Sequence, residues 1–86
     1  MTIQEFEEKL LQYIDDSIDT ATDDELFAGG YLRGHISLAA AECEANQDIR
    51  LSSMIEKVEQ SLLDTKQELS PFDYTLVVEM WNRISG

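Results

Sequence analysis

Carboxylates are the most abundant reactive groups in this chain: 18 Asp and Glu stand against 6 Lys and Arg, one His and one Cys. Metal binding is therefore the first chemistry to weigh. A di-iron helical bundle needs Glu-x-x-His pairs on two helices, but the single histidine, His35, is preceded three residues earlier by Leu32. An EF-hand needs Asp-x-Asp-x-Asp-Gly with a Glu at the twelfth position, and the acidic run from Asp15 to Glu25 lacks that spacing. Asp15, Asp19 and Asp23 recur every fourth residue and could share a divalent ion weakly, but a solvated acidic face with helix capping is the favoured reading. No metal or cofactor is expected. His35 is the one side chain that titrates near neutrality. The economical reading is a half-buried ring bonded to a carbonyl or carboxylate; the functional alternative is a general base or pH-sensitive contact. Cys43 falls on an apolar helical stripe, where a free thiol behaves as a small hydrophobe. The glycines of Gly29-Gly30-x-x-x-Gly34 precede His35 rather than the Lys-Ser/Thr of a phosphate loop. Gly30-x-x-x-Gly34 instead has the spacing that lets two helices approach closely.

The charge excludes whole classes of function. A net charge of −12 argues against nucleic acid, because affinity for phosphates comes from Lys and Arg, and against anionic membrane surfaces. No apolar run reaches the ~20 residues that span a bilayer. The start, Met1-Thr2-Ile3-Gln4-Glu5, lacks the features of a secretory signal. One cysteine permits no internal disulfide and points to the cytoplasm. Eighty-six residues are expected to form one helical domain, 1–86, with room for only a modest core.

Helical periodicity runs through the sequence, and no segment alternates with a period of two. Thr2-x-x-Glu5 is a capping box, followed by Ile3, Phe6, Leu10, Tyr13, Ile14 and Ile18 on one arc. Glu7 alone falls inside that arc, either solvated at its end or paired with Arg33 or Arg83. Thr22-x-x-Glu25 opens a second helix, expected from about Asp23 to Glu44, whose interior glycines require either a break at Gly29-Gly30 or a packing reason. On a projection of that helix, Gly30, Gly34, Ser37 and Ala41 form a small-residue stripe. Ala28, Leu32, Ile36, Ala39 and Cys43 form an apolar stripe, and Phe27, Tyr31 and Leu38 a third row. A helix apolar on nearly every side is expected at the buried centre, with Gly30 and Gly34 admitting a close neighbour. A third helix is expected to begin between Asp48 and Ser53, with Ser53-x-x-Glu56 as its capping box. Ser70-Pro71 starts a fourth, with Leu76, Val77, Met80, Trp81 and Ile84 toward the core. The expected fold is all-α, a compact four-helix bundle with short loops and the second helix central.

The run Asp23-Asp24-Glu25-Leu26-Phe27-Ala28-Gly29-Gly30-Tyr31-Leu32-Arg33-Gly34-His35, with Leu69-Ser70-Pro71-Phe72-Asp73 and Met80-Trp81, resembles the YfcL-like family of small gammaproteobacterial proteins. The resemblance covers nearly the whole chain. It implies a soluble, cytoplasmic, helical bacterial protein and carries over no catalytic or binding residue.

Three functions compete. The first is a protein-interaction module, joining an unknown protein partner or a second copy, with Tyr31, Arg33, His35, Tyr74 and Trp81 as contact residues, since aromatic residues and Arg favour interfaces. The second is an acidic DNA mimic or binder of a basic partner, motivated by the charge. The third is a small enzyme using His35, for which no catalytic constellation is evident. The interaction module ranks first.

Overall fold

A computed structural model describes all residues, 1–86. Four helices make up the fold: α1 (Ile3–Asp16), α2 (Asp23–Ala45), α3 (Leu51–Asp64) and α4 (Pro71–Ser85). Short 3-10 turns follow α1 at Ile18–Thr20 and α3 at Thr65–Gln67, and there is no strand. The fold is thus an all-α four-helix bundle. No helix is long and apolar enough to cross a membrane.

Local chemistry sets most of the boundaries. In α1 the Glu5 amide donates to Thr2 Oγ1 (3.1 Å) and the Thr2 amide donates to Glu5 Oε1 (2.9 Å). Thr22 and Glu25 repeat the exchange in α2, at 3.2 and 3.1 Å. Each pair satisfies two backbone donors that the helix start would otherwise leave free. Ser70 Oγ accepts from the Asp73 amide (3.1 Å), and Pro71 takes the first-turn position, where its missing N–H costs nothing.

The third helix starts inside the expected interval between Asp48 and Ser53, but without the expected Ser53 capping box. Ser53 is buried inside α3 and caps nothing; the helix already begins at Leu51. Asp48 fixes the approach instead, accepting from the Arg50 amide (3.1 Å) and from the Arg50 guanidinium at Nε and Nη2 (both 3.2 Å). Starting one turn earlier lets Leu51 pack against the core.

α2 is central, packing against α1, α3 and α4, and it is unbroken across Gly29-Gly30. The reason lies at Gly29. A Cβ there would stand 3.1 Å from Ile14 Cγ2 and 3.7 Å from Met80 Sδ, so α1 and α4 both close on this one glycine. The expectation of close packing at Gly30 and Gly34 is corrected: a Cβ at either would meet nothing within 4 Å, and both residues are exposed. The shape explains this. The domain measures 36 × 30 × 19 Å, and 19 Å is about two helix diameters. In a slab two helices thick, even the central helix keeps one outward face. Ala28, Leu32, Ile36, Ala39 and Cys43 point inward and are buried, joined by Leu10, Met54, Val58, Val77 and Trp81.

Candidate functional site: the open face of the central helix

The outward face of α2 carries the two other rows of the projection. Phe27 is 40% exposed and Leu38 is 56% exposed, with Gly30, Gly34 and Ala41 open between and beyond them. Tyr31 sits half-buried at the edge of this face and packs against the core. An aromatic ladder climbs the helix at four-residue steps. The Phe27 and Tyr31 rings lie 5.9 Å apart, centroid to centroid, and Tyr31 and His35 lie 4.8 Å apart. Spacing of i, i+4 stacks side chains along one face, so the ladder follows from sequence position alone.

The glycines shape the face rather than close it. Beside Gly30 lies a cleft of about 140 Å³, lined by Ile14, Ile18, Leu26, Gly29 and Gly30 together with the charged Asp15, Glu25 and Arg33. Ile18 and Leu26 are both nearly half exposed. At its lip Arg33 grips Asp15 with two parallel bonds, Nε to Oδ1 (3.2 Å) and Nη2 to Oδ2 (3.1 Å). That pairing holds the Asp15 carboxyl below the usual carboxylate range and raises the guanidinium further. Asp15, not Glu7, is the partner of Arg33. Arg83 instead reaches Glu25 at 3.9 Å.

His35 closes the other side of the face. Its Nδ1 lies 2.9 Å from Ser61 Oγ, while the Ser61 hydroxyl donates to the Val58 carbonyl (2.9 Å). Ser61 Oγ thus lies between the His35 ring and the Val58 carbonyl and ties α2 to α3. Burial pushes the imidazole pKa down, so the neutral ring is favoured, against a smaller opposing pull from Glu68.

Two sequence candidates are not on this face. Trp81 is 2% exposed; it lies in the core and its Nε1 donates to Glu59 Oε2 (3.3 Å). It cannot touch a partner without unfolding. Tyr74 is half-buried under Lys66, whose ammonium lies 5.9 Å from the ring centroid. Tyr31, Arg33 and His35 do gather along α2. The residues overlooked are Phe27, Leu38 and Ser61. Phe27 and Leu38 already stood in the third row of the projection, and their row was the signal. Cys43 is fully buried, and burial raises its thiol pKa, which makes it a core hydrophobe rather than a nucleophile.

An all-α bundle with these helix-start signatures is the class this chain defines. Comparison with known proteins then places it: the profile described as YfcL protein matches residues 4–86, and the chain belongs to the YfcL family. It is 48% identical over 84 residues to the Escherichia coli (strain K12) protein described as uncharacterized protein YfcL, a match spanning 95% of this chain and 91% of that protein. No solved structure matches.

Proposed function

We propose that this chain is a non-catalytic, cytoplasmic protein-interaction module that presents α2 as its contact surface. The observation that carries the reading is the open apolar face of the central helix. Phe27, Tyr31 and Leu38, with the open glycines Gly30 and Gly34, form an uncharged strip along α2, and the cleft at Gly30 adds the apolar Ile18 and Leu26 beside the Arg33–Asp15 pair. Other exposed hydrophobics, such as Ile49 and Phe72, belong to different elements. Scattered apolar residues are ordinary on a surface, whereas a contiguous patch marks a contact site. The non-catalytic part is supported by Cys43, whose thiol is fully buried with its pKa raised, and by His35, whose ring is tied to Ser61 on the neighbouring helix.

The test is a pull-down from the native host's lysate with wild type, Leu38→Gln and Phe72→Gln as baits. The expected result is a partner retained by wild type and Phe72→Gln and lost with Leu38→Gln. Equal recovery by all three baits places the contact elsewhere.

A further inference from the structure

We infer that the partner seated on this face is an amphipathic helix with basic residues at both of its ends; this rests on α2 being the contact surface. Between Leu26 and Glu42 the only charge on α2 is Arg33, and that side chain is held by Asp15. At one end of the strip stand Asp23 and Asp24, at the other Glu42 and Glu44, all exposed. From Asp24 to Glu42 is about 27 Å at 1.5 Å per residue, the length of a helix of roughly 18 residues. Glu42 meets Lys57 only at 3.8 Å, while Asp23, Asp24 and Glu44 have no ion-pair partner.

The strip is therefore uncharged along its length and negative at both ends. Gly30 and Gly34 leave room for a second helix axis to come close, and the cleft beside Gly30 accepts one aliphatic side chain. Phe27 and Leu38 lie exposed along the same helix. A complementary ligand has an apolar stripe in the middle and Lys or Arg about five turns apart. A second copy of this chain does not fit. Laid parallel or antiparallel, two α2 faces set carboxylates against carboxylates at both ends, and like charges in register oppose association.

The experiment uses three synthetic 20-residue helical peptides titrated into the isotope-labelled full chain, read by amide chemical shifts and by fluorescence anisotropy. One carries a Leu/Ala stripe with Lys at both ends. The second replaces each Lys by Glu. The third keeps the first composition but scrambles the stripe. The expected result is that only the first shifts the Gly30, Gly34 and Leu38 amides. Its affinity exceeds that of the other two by about tenfold or more, and Gly30→Gln, which sets a bulky side chain on the open surface where the second helix would lie, removes that advantage. Gly30 has open space around it, so this variant retains the fold, checked by its melt. Equal binding of the Glu peptide at the same amides overturns the basic partner while leaving α2 as a contact surface. Shifts elsewhere, or none, overturn the helix-on-α2 inference, and the pull-down then judges the module reading separately. Sedimentation as a dimer that Leu38→Gln dissolves overturns it in favour of a second copy.

Discussion

Replacing Gly34 and Gly29 separately by Ala separates an open glycine from a closed one on the same helix. Both residues lie inside α2 with ordinary helical backbone, since no glycine has a positive φ. Each change gains about 0.8–1.0 kcal/mol of intrinsic helix propensity. At Gly34 the new methyl meets nothing within 4 Å, so the full gain is realised. A gain near 1 kcal/mol raises the midpoint of a domain this size by about 4–8 °C. At Gly29 the same methyl stands 3.1 Å from Ile14 Cγ2. Ile14 is buried and β-branched, hence stiff at χ1, and cannot swing away. Overpacking of this kind costs about 1–3 kcal/mol, which cancels or outweighs the propensity gain. Thermal melts by circular dichroism are therefore expected to order the proteins Gly34→Ala above wild type and wild type at or above Gly29→Ala. If Gly29→Ala melts as high as Gly34→Ala, the close approach of α1 and α4 to Gly29 is not what permits the unbroken helix. If Gly34→Ala melts lower than wild type, its face is covered.

Moderate NaCl is expected to raise the melting midpoint, because the four ion pairs engage only four of the 18 carboxylates and the rest repel one another within reach of screening; a flat or falling response contradicts this. His35 gives a pH signature. Its folded pKa lies below the unfolded value of about 6.5, so as pH falls through that region the unfolded chain takes up the proton first. Wild type is then expected to lose stability relative to His35→Gln between about pH 7 and pH 5, and a difference that stays constant or widens in favour of wild type refutes the buried neutral ring. Trp81 is expected to emit at short wavelength and resist acrylamide quenching until the melt, and Trp81→Ala to cost about 3–5 kcal/mol; a readily quenched indole puts it back on the surface.

The sequence made some of this legible and not the rest, and the division has a physical basis. Capping at Thr2, Thr22 and Ser70 involves residues three apart, so the local pattern suffices. Ser53 shows the limit: it has the same spacing to Glu56, but Leu51 packs against the core and Asp48 binds Arg50, and these contacts start α3 earlier. A helical projection sorted α2 correctly into three rows. It does not say which row a neighbour covers, because that depends on the thickness of the whole domain. Hence the small stripe was assigned the close contact that Gly29 makes. Trp81 lay at the edge of an apolar arc, where sequence alone does not decide between core and surface. The packing of α4 decides it: the ring is buried, and its N–H reaches the exposed Glu59 carboxylate on α3.

The open face of α2 is tested most directly by site-specific photo-cross-linking in living cells of the native host. A photoreactive residue is placed at Leu38 or Ala41 on that face, and at Glu79 on the exposed side of α4. The expected result is a discrete protein adduct from both α2 positions, none from Glu79, and loss of the α2 adducts when Gly30→Gln sets a bulky side chain on the same open face. Adducts from Glu79 instead of Leu38 and Ala41, or α2 adducts indifferent to Gly30→Gln, would contradict the assignment of this face as the contact surface.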